Sequence, residues 1–97
     1  MATNNEWPFA DPANVAVFTL KSITTGSRPI LYATHDAEDG AWQFLDESTV
    51  SEEDASVVSL QQIATIDPSV MELANLPLGW YAYRSSAHEP WQRRKKV

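Results

Sequence analysis

The sequence predicts a single α+β domain, an antiparallel sheet of four to five strands with two or three short helices on one face. Three observations predict it. Short β-branched and aromatic runs lie at Val15 to Lys21 and Gly79 to Ser85, and two more flank an Asp-Gly turn. The middle carries capped helix starts whose apolar faces are too short to stand without a sheet beneath them. The length, 97 residues with 43% hydrophobic, allows one core and not two, since a domain of this size buries roughly 60–68% of the surface its unfolded chain exposes.

Residues 1–14 carry two prolines and three asparagines with no periodicity, and read as an irregular lead-in that Trp7 and Phe9 pin to the body. The domain proper spans 15–92. VAVFTLK, Val15 to Lys21, is β-branched and apolar and predicts a strand with Phe18 and Leu20 toward the core. ITTGSRP breaks it: Gly26 can take positive φ and Pro29 cannot donate to a ladder. ILYATHD and AWQFLD then predict a hairpin whose loop is either Asp39 and Gly40 or the four residues from Ala37 to Gly40. Both registers share parity, so both place Leu31, Ala33, His35, Trp42 and Phe44 on one face, the core face.

After Asp46 the pattern changes. Ser51 followed by Glu52, Glu53 and Asp54 has the chemistry of a helix start, and Val57 and Val58 interrupt any clean helix with an extended segment. A second start lies at Ser59 with Gln62 at capping-box spacing, leading to Leu60, Ile63 and Ala64 on one face. Asp67 before Pro68 is an N-cap followed by proline at the first helical position. The short helix it opens carries Val70, Met71, Leu73 and Ala74, and Pro77 and Gly79 end it. GWYAYRS, Gly79 to Ser85, is an aromatic strand with Trp80 and Ala82 on one side and Tyr81 and Tyr83 on the other. PWQRR reads as a last short strand or an extended segment, and 93–97 as a basic C-terminal tail.

Composition narrows the function classes. The absence of cysteine excludes a disulfide framework, a thiolate zinc site and a cysteine nucleophile. No basic segment followed by an apolar run opens the chain, and no stretch approaches the roughly 18 apolar residues of a membrane span, so a soluble cytoplasmic protein is expected. The net charge of −6 is segregated: between Arg28 and Arg84 there is no Lys or Arg, while Asp36, Glu38, Asp39, Asp46, Glu47, Glu52, Glu53, Asp54, Asp67 and Glu72 fall there. A nucleic-acid platform needs clustered cations on a folded face, and the only cluster is the terminal RRKK. A cationic protein partner suits the acidic middle better.

The densest chemistry lies in HDAEDGAWQF, His35 to Phe44. Counted from Asp36 as a calcium loop, the required turn glycine falls one position early, at Gly40, and Glu47 alone does not restore the pattern. His35 and His88 are the only histidines, too few soft ligands for zinc, so neither a metal nor another cofactor is expected. His35 and Asp36 are adjacent on a strand and point to opposite faces, so they form no catalytic pair. No nucleophile elbow or phosphate cradle exists, and no catalytic residue is assigned. Two residues remain as candidates for a pocket or an ion pair, His35 near the edge of the core face and Arg84, the one cation of the aromatic strand. Asp36, Glu38, Asp39, Asp46 and Glu47, with Tyr81 and Tyr83, form the candidate partner-binding surface.

DGAWQF after an acidic turn, VVSLQQIATIDPSVMELANLPLGWYAYR and the tryptophan of PWQ together resemble a bacterial family first described as a domain of unknown function and later regarded as predicted immunity proteins of polymorphic toxin systems. The resemblance runs roughly from Val15 to Gln92. It implies an intracellular protein that binds and neutralises a toxin, often a toxic enzyme, although members also occur without an evident toxin. The expectation is therefore a non-enzymatic protein-binding module with acidic loops. The alternatives are a small-molecule-binding or catalytic domain using His35 or Arg84, and an accessory homo-oligomer whose aromatic strand pairs with its own copy.

Overall fold

The computed structural model describes residues 7–46 and 52–96. Six strands form one mixed sheet, β1 Ala16–Leu20, β2 Tyr32–His35, β3 Trp42–Leu45, β4 Ala55–Ser59, β5 Trp80–Tyr83 and β6 Gln92–Lys95, in the order β4-β1-β3-β2-β5-β6. Every neighbouring pair is antiparallel except β1 and β3, which run parallel with Phe18 opposite Gln43. Short helices lie in three of the connections: α1 Lys21–Thr24 between β1 and β2, a 3-10 turn at Glu52–Asp54 before β4, and α2 Leu60–Ile66 with a 3-10 helix at Pro68–Leu73 between β4 and β5.

The Asp-Gly signal forms the hairpin in its four-residue register. His35 faces Trp42, and Asp36 N–H donates to Ala41 C=O at 2.8 Å, leaving Ala37 to Gly40 as the loop. Gly40 takes φ +74, a conformation that costs an L residue roughly 1–2 kcal/mol. The register puts Ala33, His35, Trp42 and Phe44 on one face with Trp80 and Ala82. Against that face pack the apolar sides of α1, α2 and the 3-10 helix: Ile23, Leu60, Ile63, Val70 and Leu73 are all 0% exposed. Phe9 joins this core and Trp7 packs on it, its indole N–H donating to Asp11 C=O, so the lead-in is pinned as expected.

Both predicted caps form. Ser59 Oγ accepts from Gln62 N–H at 3.1 Å to open α2, and Asp67 Oδ1 accepts from Ser69 N–H at 3.0 Å before Pro68. Ser51 lies outside the described residues, and the acids that follow it enter a single 3-10 turn.

Four expectations are corrected. The faces of β1 are opposite to those read from sequence: Val17 and Thr19 face the helices, while Phe18 lies half-buried on the other face with Leu20, which is nonetheless buried in the core as expected. The parallel register with β3 dictates this, because Phe18 pairs with Gln43, whose neighbours Trp42 and Phe44 already occupy the helix-covered face. The residues at ITTGSRP begin with one helical turn, α1, and only then break. The extended segment expected at Val57 and Val58 forms, but as a full edge strand, β4, paired antiparallel with β1, and the sheet is mixed rather than purely antiparallel because β1 lies parallel beside β3. The basic run is not a trailing tail: Arg93, Arg94 and Lys95 lie in β6, paired with Ala82, Tyr81 and Trp80. An edge strand tolerates them because their charged heads stay in solvent.

Candidate protein-binding surface

The topology divides the acidic residues between the two ends of the sheet. The hairpin loop projects from the end where β2 finishes and β3 begins, and β1 starts there too because it is parallel to β3. Asp46 follows the far end of β3, while Glu53 and Asp54 precede β4, which runs antiparallel to β1 and so begins at that far end. The acidic stretch from Asp36 to Asp54 is thus not one surface.

At the hairpin end, Asp36 Oδ1 accepts Glu38 N–H and Asp39 Oδ1 accepts Ala41 N–H, both at 2.9 Å. These two carboxylates build the loop and still present charge outward, Asp39 and Glu38 being exposed and Asp36 half-buried. Lys95 ends β6 at the same end, two strands away across β5, and Lys96 N–H donates to Gly79 C=O there. At the far end Asp46 is buried and accepts from Arg28 at 2.8 Å, and Asp54 accepts from Ser22 Oγ at 2.8 Å. Asp46 is therefore a structural anion for the turn after α1 and presents little charge to a partner. Glu47 lies outside the described residues.

Tyr81 and Tyr83 occupy the face opposite the helices, half-buried, with Tyr32 between their ends: the ring centroids of Tyr32 and Tyr81 are 5.6 Å apart and those of Tyr81 and Tyr83 5.9 Å. Burial, with Tyr81 beside it, pushes the Tyr32 phenol above its ordinary pKa and keeps it protonated. On the same face, toward the hairpin end, Ala16, Phe18, Ala41, Gln43 and Val57 line an open groove of about 460 Å³. Leu20 and Leu45 are buried on this face, so only part of it is accessible.

His35 and Arg84 are not brought together, and each is engaged locally. His35 stacks on Trp42 at 4.0 Å with a 12° interplanar angle, and its Nδ1 lies 2.8 Å from Leu76 C=O. A carbonyl only accepts, so Nδ1 carries the proton. Arg84 is buried and spends every donor: Nε and Nη2 on Ile30 C=O at 3.0 and 2.8 Å, Nη2 on Asp67 at 2.5 Å, and Nη1 on Ser69 Oγ at 3.0 Å and Ala87 C=O at 3.3 Å. The Trp91 ring covers its guanidinium at 4.0 Å. The hollow beside it, lined by Ser69, Glu72, His88 and Trp91, is offered no free Arg84 donor. For Asp67, burial pushes the carboxyl up, but hydrogen bonds from Ser69 and Arg84 and the Arg84 charge outweigh it and hold the pKa below the ordinary carboxylate value.

Sequence reasoning missed Tyr32, Phe18 and Val57 as surface-forming residues. The alternation along β1, β2 and β4 carried the signal, since it places them on the face that the helices do not cover. The aromatic strand β5 lies between β2 and β6, both of its edges paired, so it cannot pair with its own copy. Among the described residues no group of three or more His, Asp or Glu side chains is arranged to hold a metal ion, and no helix is long and apolar enough to cross a membrane. Comparison with protein families, curated proteins and solved structures finds no match to the chain.

Proposed function

We propose that the chain is a non-enzymatic protein-binding module of the immunity type, acting in the cytoplasm of a bacterium, which neutralises a toxin by covering a cationic surface of it with the acidic hairpin. The observation that carries this reading is the hairpin loop, where Asp36, Glu38 and Asp39 cluster beside the groove formed by Ala16, Phe18, Gln43 and Val57. Acid at the rim and apolar surface next to it is the layout of a partner site in which charge sets the encounter and apolar burial holds the complex. The tyrosines of β5 extend the contact area on the same face. The alternative that uses His35 or Arg84 as a ligand-binding or catalytic group has less support, because each already makes local contacts with the protein.

Affinity capture from the native host with mass spectrometry, followed by co-expression of the captured protein, tests the proposal. An enzyme whose toxicity the chain suppresses supports it. Removing the three charges as D36N/E38Q/D39N keeps the Oδ1 acceptors that build the loop, and it is expected to weaken that association about tenfold at low salt and much less at high salt. Association unchanged by the triple variant removes the hairpin from the interface.

A further inference from the structure

The two edges of the sheet are built differently. β6 ends it with Gln92, Arg93, Arg94 and Lys95, all exposed. Charged edges of this kind prevent strand addition, and an antiparallel β6 pair about a two-fold axis through Arg93 or Arg94 would set that arginine against its own copy. β4 ends the other side with ASVVS, which contains no charge, no proline and no glycine. Among the described residues no strand meets its outer side, and Val57 at its centre is 67% exposed.

The hydrogen-bond phase of β4 can be read from its end. Leu60 N–H donates to Val15 C=O at 2.9 Å, so the pairs that exchange hydrogen bonds with β1 continue two residues at a time through Val17 with Val58 and Thr19 with Ser56. Ala55, Val57 and Ser59 therefore direct their N–H and C=O groups away from β1. An unpaired row of backbone donors and acceptors centred on an exposed valine is a template for another strand.

We propose that β4 is a homodimer interface, in which β4 of a second copy of this chain pairs antiparallel about Val57 and joins the two sheets into one. A two-fold axis through Val57 makes Val57 and its copy exchange both hydrogen bonds. It sets Ala55 opposite Ser59 and Ser56 opposite Val58, and it brings Asp54 and Glu53 opposite Leu60 and Gln61 of the second copy, so no like charges meet. The axis also keeps the helices of both copies on the same side and sets the two Val57 side chains together on the open face. The arginine-rich β6 edge then stops growth at the dimer. Both copies carry a net charge of −6, so repulsion opposes their approach and added salt tightens the dimer, opposite in sign to the acidic hairpin meeting a cationic partner. Val57 also lines the groove assigned to the partner, but the dimer is carried by the backbone edge of β4 and is measured without any partner, so its failure leaves the hairpin reading standing.

Sedimentation of the full chain across a wide concentration range, at low and high salt, tests it together with residue-resolved amide exchange. The wild type is expected to sediment as a dimer at high concentration, and more so with salt. The Val57 amide should gain protection as concentration rises, whereas the inward-facing Val58 amide should be protected throughout. Val57→Lys places a charge on an exposed side chain without touching the β1 hydrogen bonds, and is expected to weaken the dimer at least about tenfold, while Val57→Thr changes it less than about threefold. Circular dichroism of both variants checks that they fold. A chain that is monomeric at every concentration and salt overturns the proposal. So does a dimer that Val57→Lys leaves intact, or a Val57 amide that becomes protected only when a different protein is added.

Discussion

Arg84 shows how a candidate functional residue becomes a structural one. A buried guanidinium is costly to desolvate, and here the cost is offset by Asp67, Ser69, two backbone carbonyls and the face of Trp91. Arg84→Met leaves the buried Ile30 carbonyl and the Asp67 carboxylate without their partner, and is expected to destabilise the fold by about 3 kcal/mol or more, read from urea unfolding. Lysine should not rescue it, because it cannot reproduce the planar fork. The pH dependence follows from Asp67. Its folded pKa lies below the unfolded value, so its contribution to stability is present above the ordinary carboxylate pKa of about 3.9 and is lost as pH falls through the folded value. Urea midpoints measured from about pH 6 downward should fall more steeply for the wild type than for Asp67→Asn, with the two converging in strong acid. The sequence marked Arg84 as a lone cation but not what it met, because its partners lie 54 residues away at Ile30 and 17 away at Asp67. His35 is similar: its strand and parity were legible, while the Leu76 carbonyl 41 residues on was not.

At the scale of elements, local chemistry read well and pairing read less well. The Asp-Gly hairpin, the Ser59 cap and the Asp67-Pro68 cap are short-range features, and each forms as its residues dictate. Ser59→Ala should cost about 1 kcal/mol by leaving Gln62 N–H without its acceptor. Gly40→Ala should cost about 1–2 kcal/mol although nothing lies within 4 Å of the added Cβ, since the penalty is in the backbone at φ +74; Gly40→Asn should recover part of it. Thermal unfolding of the three variants separates these effects. β1 was misread because ValAlaValPheThrLeu has apolar residues on both faces, and only its parallel pairing with β3 decides which face the helices cover. β4 was legible as an extended segment but not as a strand of the sheet, being five residues between two helix-start signals. β6 was obscured by its charges, which describe a protected edge as well as a tail.

At the scale of the molecule, the sheet order decides which charges act together. Sequence proximity groups Asp36 through Asp54, but the strand directions carry Asp36, Glu38 and Asp39 to one end and Asp46, Glu53 and Asp54 to the other, where Asp46 is neutralised by Arg28. Two strands of four and five residues separate the groups by roughly 13–17 Å at the usual rise per residue, more than the Debye length of about 8 Å at physiological salt. The two ends therefore act as independent electrostatic sites, and a partner that docks at one is screened from the other. Removing the hairpin charges as D36N/E38Q/D39N should slow association with a cationic partner at low salt, with dissociation less affected, because exposed rim charges act mainly on encounter. Glu53→Gln, which removes an exposed charge from the far end, should leave the same rate within about twofold at physiological salt. Stopped-flow association rates for the two variants across a salt series distinguish the ends. Equal slowing by both would mean that the whole acidic surface, not the hairpin, steers the partner, and slowing by Glu53→Gln alone would move the docking site to the end where β4 begins.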